Sequence, residues 1–216
     1  MGKTNRNEIR SAKKIFEFDN KTKESTIEKS QVFNFDRFQK FTISLWVRFY
    51  GIQNGSVLAK MNDDGTDFFR GWDLRFHPED GKQIILFQLI HAYPNNCLIH
   101  TTHSIDQIED YQWHHLVVTH NGFAEAGSIR IFIDGKSQSV YTIRTSLNGE
   151  ISNNYPITIG ARINDTNHFD GKVFGVHIIK DVLNENEVLQ LSRDTKPKDE
   201  NDDFEKDLKL LEKNKY

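Results

Sequence analysis

Cysteine is nearly missing from this chain of 216 residues, which holds only Cys97. A lone cysteine excludes an internal disulfide and fits a reducing compartment, although secreted domains without disulfides exist. No apolar run approaches the roughly 18 residues of a membrane-spanning helix, so no membrane span is expected. The opening residues, MGKTNRNEIRSAKK, are basic with no apolar stretch behind them, which is not a secretory signal. Arg6 stands where a myristoylation signal wants Ser or Thr. The expected address is cytoplasmic if the chain starts at its native Met and extracellular if it is an excised fragment. The net charge is only -3, so nothing pulls the whole molecule toward nucleic acid. Phosphate-cradling loops, dinucleotide fingerprints and nucleophile elbows are all missing.

What is present reads as strand. There are 16 Phe against 2 Met. In FTISLWVRF, Phe41, Ile43, Leu45 and Val47 share one face, and Thr42, Ser44, Trp46 and Arg48 share the other. That period of two predicts a half-buried strand. GSVLAKM from Gly55, GWDLRFH from Gly71, IILFQLI from Ile84, CLIHTTHSI from Cys97, SIRIFIDGK from Ser128, PITIGAR from Pro156 and GKVFGVHII from Gly171 read the same way. Asp-Gly turns punctuate them at NDDGTD, EDGKQ and Asp134-Gly135. The spacing predicts an all-β fold, an antiparallel β-sandwich, without the long helices that parallel crossovers require.

Two helices are expected near the end. LNENEVLQLS offers Asn184 as N-cap and Glu187 as its capping-box partner, predicting a short helix near 184–192. DENDDFEKDLKLLEKNKY starts acidic and ends basic, complementing a helix dipole, with Phe204, Leu208 and Leu211 on one face. That face suits docking on a partner protein; a solvated charged tail is the other reading. Pro197 marks the boundary, giving a basic arm over 1–14, a sandwich over 15–195 and a charged tail or helix over 196–216.

YQWHHLVVTHNG poses the question of histidine chemistry. On a strand His114 and His115 point to opposite faces, so they cannot hold one metal together. His114 and His120 share a face but stand about 20 Å apart, at roughly 3.3 Å per residue. These are structural histidines in a packed strand.

The ordered set of stretches resembles the laminin-G-like domains of the concanavalin-A-like lectin/glucanase superfamily, especially the pentraxin-related branch. The residues that carry it are FDN and VFNF (18–35), FTISLWV (41–47), VLAK (57–60), GWDLRF (71–76), WHHLVVTHNG (113–122), IRIFIDGK (129–136), ITIGAR (157–162) and FDGKVFGVHIIKDVLNENEV (169–188). The resemblance implies a jelly roll with loops at its rims. Relatives commonly carry two acidic residues where Phe174 and Gly175 stand, and an arginine where His177 stands, so no metal is carried over to that position.

Four kinds of chemistry are weighed. Glucanases of the superfamily carry E-x-D-x-x-E-like carboxylates on a sheet strand, and retaining hydrolysis needs its pair about 5 Å apart. The only text match, Glu200, Asp202 and Glu205, lies in the charged tail. Cys97 and His100, three residues apart, fall on opposite faces of a strand. Calcium wants several oxygen donors, which Asp63, Asp64 and Asp67 in one loop and Asn164, Asp165 and Asp170 in another offer, although Asp and Asn also build turns. Sugars stack on aromatic faces, for which Trp46, Phe68, Phe69 and Tyr93 are the candidates. Lys3, Arg6, Arg10, Lys13 and Lys14 make the N-terminal arm basic without the aromatic interleaving of specific nucleic-acid binding. The expected function is a non-catalytic recognition module binding carbohydrate, with calcium at a rim. The alternatives are a protein-interaction or scaffold domain in an intracellular assembly and a glycoside hydrolase.

Overall fold

The computed structural model describes residues 8–10, 15–19, 21, 25–28, 33–63, 65–102, 108, 111–164 and 166–197. Numbered in chain order, strands β1 (Glu8–Arg10), β14 (Asp170–Ile179), β4 (Phe41–Phe49), β9 (His114–His120), β10 (Ile129–Ile133) and β11 (Lys136–Ser137) follow one another across the first sheet. β2 (Phe16–Asp19) also pairs with β14. The second sheet runs β12 (Val140–Thr145), β8 (Asn96–Thr102), β7 (Lys82–Ala92), β6 (Gly71–Glu79), β5 (Gly55–Met61), β13 (Ile157–Ile159) and β3 (Ser25–Glu28). Every pairing between these strands is antiparallel, and the sandwich read from the alternation is the one that forms.

Two hairpins show why the Asp-Gly pairs belong where they are. Asp80 and Gly81 join β6 to β7 with φ of 50° and 74°, and Asp134 and Gly135 join β10 to β11 with 51° and 77°. Left-handed backbone at both central residues gives a turn whose twist matches that of the flanking strands. Between the sheets, Phe35, Phe41, Leu45, Trp72, Phe87, Val118 and Phe169 pack in one continuous core. Phe35 stacks on Phe41 at 4.5 Å between ring centroids.

The outward face of the first sheet departs from expectation. All nine residues of β4 are buried, not just one face of it. The cause is helix α1 (Glu185–Thr195), which lies over that face. Leu183 and Val188, with the partly buried Leu191, pack on Val117, Phe132 and Ile179. Thr42 Oγ1 donates to the Asp181 carbonyl at 2.7 Å and accepts from Leu183 N at 3.0 Å, pinning the approach to the helix. The capping box is complete: Glu187 N donates to Asn184 Oδ1 at 3.1 Å, and Asn184 N to Glu187 Oε2 at 2.9 Å. Burying a Leu or Val side chain contributes about 1.5–3 kcal/mol, so the docked face outweighs the intrinsic stability of so short a helix.

Residues 8–10, assigned from sequence to the basic arm, form an edge strand on β14. The expected C-terminal helix over 196–216 lies outside the described residues except for its first two positions, 196 and 197.

Candidate ligand-binding site

Register builds a second outward face. On the second sheet, Ala59, Asp73, Gln88, Ile99 and Arg144 stand opposite one another in a row across five strands. A neighbouring row carries Met61, Gly71, Ile90 and Cys97, and a third carries Arg75, Leu86 and Thr101. Residues paired across antiparallel strands share a face. Ala59, Met61, Ile84, Leu86, Ile90, Cys97 and Ile99 therefore form an apolar cluster of their own, apart from the core between the sheets. No helix of the described chain covers it. A cleft of about 340 Å³ opens there, at the small end of the range for small-molecule sites.

Met61, Leu86, Ile90 and Ile99 line the apolar part of the cleft, with Gln88 beside them. Phe69 and Tyr93 line it as well, ring edge to ring face, 6.1 Å between centroids. Two loops place that pair: Tyr93 N donates to the Phe68 carbonyl at 3.0 Å. Phe68 and Phe69 take left-handed φ of 53° and 62°, an uncommon and costly conformation for bulky residues. Ile143 and Arg144 both line the cleft, although neighbours on a regular strand point apart. The register shift between Thr142 and Arg144 lets both do so, as a β-bulge re-aims a side chain.

Behind the cleft runs a buried polar network. Arg162 donates through Nε at 3.0 Å and Nη2 at 2.5 Å to Asp73 Oδ2, and through Nη1 at 2.5 Å to Asp63 Oδ1. Burial disfavours its charge, but Asp73 and Asp63 outweigh that and raise its pKa above the ordinary arginine value. Asp63 Oδ2 accepts from Thr166 Oγ1 and from Asn167 Nδ2, each at 2.6 Å. Asn167 Oδ1 in turn accepts from Arg75 Nη2 at 3.0 Å, and Arg75 Nη2 also donates to Asn54 Oδ1. Burial pushes the Arg75 guanidinium down from its ordinary value; Asp73 opposes this and Arg162 adds to it. His77 Nδ1 lies 3.1 Å from Asn54 Oδ1, and burial, then Arg75, lower its pKa.

This arrangement sorts the residues predicted from sequence. Phe69 and Tyr93 meet at the cleft. Phe68 is exposed beside them but does not line it. Trp46 is the clear correction: it is 3% exposed, and its Nε1 donates to Thr195 Oγ1 at 3.0 Å beneath α1. A face capped by a helix offers no platform to a sugar. The two Asp/Asn loops come together, but to bond each other. Asn164 Nδ2 donates to Asn62 Oδ1 at 2.6 Å, and Asp67 pairs with Arg70 at 3.4 Å. Asp170 stands elsewhere, lining a polar rim cleft with Tyr50, Gln53, Asn54 and His168. Asp63 is committed to a guanidinium, a hydroxyl and an amide, so the described donors do not fit a calcium cage, which needs several free oxygens around one point. No group of three or more His, Cys, Asp or Glu among the described residues can hold a metal. Asp64, Asp165, Glu200, Asp202, Glu205, Phe204, Leu208 and Leu211 lie outside the described residues.

The histidines behave as packed side chains. His115 Nε2 is 2.8 Å from Ser44 Oγ on the outward face of the first sheet. On the opposite face of the same strand, His114 Nδ1 lies 2.8 Å from Asp134 Oδ2. His120, also on that face, sits 3.1 Å and 3.2 Å from the carbonyls of Gln39 and Phe123. Where relatives carry two acids, Phe174 sets its ring against Trp113, 6.4 Å between centroids, at a register shift in β14. Arg75, Arg144 and Arg162 were not picked out from sequence. The usable signal was β7: Ile84, Leu86 and Ile90 are apolar on the face opposite the core, and an apolar outward face on a sheet needs a cover or a ligand.

The family model for laminin G, described as the concanavalin A-like lectin/glucanases superfamily, matches residues 20–189. The chain belongs to this superfamily. Among solved structures it is similar to the binding domain of Paraclostridial Mosquitocidal Protein 1, at 21% identity and a TM-score of 0.54, covering 78% of this chain and 40% of that one. The botulinum neurotoxin serotype G binding domain gives 23% identity and a TM-score of 0.54 over 76% and 38% of the two chains. A structure of botulinum neurotoxin type C, which depends on interaction with two ganglioside molecules to enter cells, gives 19% and 0.51 over 80% and 39%. At these identities the likeness shows the fold alone, and the chain spans about two fifths of each toxin chain. No curated protein matches it.

Proposed function

We propose that this domain is a non-catalytic recognition module that binds carbohydrate in the cleft on the outward face of its second sheet. One observation carries the reading: a cleft over the apolar patch on the outward face of the second sheet, with Phe69 and Tyr93 at its edge and Gln88 and arginines in its lining. Aromatic faces suit the C–H faces of a sugar ring, and amide and guanidinium groups suit its hydroxyls. The described lining holds no carboxylate, and so none of the acid–base pair that glycoside hydrolysis uses. Superfamily membership and the similarity to toxin binding domains point the same way, including the ganglioside dependence of the type C toxin.

A glycan array read with the wild-type chain and with Phe69→Ala and Tyr93→Ala tests this. The expected result is retention of a set of glycans by the wild type and loss of at least tenfold in affinity in both variants, with melting temperatures close to wild type. Trp46→Ala serves as the contrast: it lowers stability and leaves the specificity pattern unchanged. Retention that survives both cleft substitutions overturns the assignment. In this reading binding needs no calcium, because Asp63 is held by Arg162. Affinities measured with and without chelator should agree, and a chelator-sensitive affinity would restore a cation to the site.

A further inference from the structure

Among the described residues the buried amide side chains are Asn62, Gln83, Gln88 and Asn153. All but one of them use both ends. Asn62 Nδ2 donates to the Tyr155 hydroxyl at 3.2 Å, and its Oδ1 accepts from Asn164 Nδ2. Gln83 Oε1 accepts from Gln53 N at 2.7 Å, and its Nε2 donates to the His77 carbonyl at 2.9 Å. Asn153 Oδ1 accepts from Tyr155 N at 3.0 Å, and its Nδ2 donates to the Lys60 carbonyl at 3.0 Å. Gln88 is the exception. It is 7% exposed and lines the cleft, and its carboxamide makes no hydrogen bond among the described residues. Leu86 and Ile90 flank it on the same face of β7, and Ile99 stands opposite it on β8. Asp73, opposite it on β6, gives Oδ2 to Arg162, and the other carboxylate oxygen is also without a partner.

A buried polar group without a partner costs stability, and apolar neighbours do nothing to offset that cost. A leucine would fill the same place beside Leu86, Ile90 and Ile99 without it. An amide in the floor of a cleft is therefore a group whose partner comes with the ligand. Its oxygen accepts and its nitrogen donates, side by side. Hydroxyls on adjacent ring carbons, gauche to one another, offer the complementary pair, since each both donates and accepts. We infer that Gln88 orients the ligand, its carboxamide pairing with two hydroxyls on adjacent carbons of a sugar ring while one C–H face of the ring lies against Phe69 and Tyr93. This rests on the carbohydrate reading above and adds to it the residue that decides which edge of the ring enters the cleft.

Gln88→Leu in the full chain tests this with two readouts. Without ligand, the variant should melt at or above the wild-type temperature, because an unpaired amide has been exchanged for an apolar side chain of similar size. A lower melting temperature would mean that Gln88 serves the polar network through Asp73, and overturns the inference. The second readout is titration, followed by NMR, with the methyl glycosides of glucose, galactose and mannose, and then with the 2-, 3- and 4-deoxy derivatives of the tightest binder. In the wild type, loss of either of two adjacent hydroxyls should weaken binding about fivefold. In Gln88→Leu the parent glycoside should bind about tenfold or more weakly than to the wild type, and the same deletions should then cost less than about twofold, as a mutant cycle requires of groups that touch. Equal affinity of wild type and variant for the parent overturns the inference and leaves the carbohydrate reading standing, as does a deoxy pattern that is the same in both. A wild type that binds none of the three glycosides overturns it as well, and the glycan array then decides the carbohydrate reading by itself.

Discussion

Arg162 shows how one side chain decides what its neighbours can do. Its guanidinium ties Asp73 of β6 to Asp63 of a rim loop, and its side chain is 8% exposed. A buried pair of this kind is no strong source of stability by itself, because taking the charges out of water offsets their attraction. Removing one partner is different, because the others stay buried and charged. Arg162→Met should therefore destabilise the fold by about 3–5 kcal/mol, read as a drop in the urea midpoint at neutral pH. A change under 1 kcal/mol would show that the two aspartates find water instead. From sequence, Asp63 looked like a metal ligand because its loop is rich in oxygen donors. Nothing local told that Arg162, 99 residues away, would take one of its oxygens. Trp46 failed for a related reason: alternation says which face a side chain is on, but not what lies over that face. Phe69 and Tyr93 were legible because aromatic residues in polar loops have few reasons to be there.

Elements were more legible than sites. The helix at 185–195 announced itself through Asn184, Glu187 and a short apolar face, and the two Asp-Gly hairpins through turn chemistry that few other conformations accept. β12 was missed because Val140–Thr145 is an edge strand, half-buried to exposed, with no clean alternation to see. β1 was missed because three residues in a basic stretch carry no pattern at all. The helix also carries a prediction of its own scale. Asn184→Ala removes a cap worth about 1 kcal/mol, while Val188→Asp places a charge against Val117 and Phe132 and should cost several times more. Because α1 also covers Trp46, tryptophan fluorescence should shift to the red in Val188→Asp under native conditions and stay unchanged in Asn184→Ala. An unshifted spectrum in Val188→Asp would mean that the helix is not what shields the indole.

At the scale of the whole molecule, the two sheets use their outward faces differently. One is closed by its own helix, and the other carries the cleft lined by Phe69 and Tyr93. His100 between the sheets and His115 on the helix-covered face are both buried neutral imidazoles, which makes stability depend on pH in a definite window. Burial, and then His120, push His100 down to about 4. Burial does the same to His115, with Asp134 opposing and His177 adding, again to about 4. In the unfolded chain both titrate near 6.5. As pH falls from about 6.5 to about 4, the unfolded chain takes up protons that the folded chain refuses, so the folded state loses stability on the order of 3 kcal/mol per imidazole. Below that window both states are protonated and the loss from these groups levels off. Asp134 acts lower still: burial raises its pKa, but His114 and His115 outweigh that, and its contribution fades only below 3.8, its ordinary value. Urea midpoints measured from pH 7.5 to 4.5 should thus fall steeply below pH 6.5. In His115→Gln, where an amide replaces the imidazole beside Ser44, the fall should shrink by about one imidazole's share, whatever the variant's stability at pH 7.5. A midpoint that stays level across this range would mean that the buried imidazoles accept protons without unfolding, and that their surroundings open to water more readily than the packing implies.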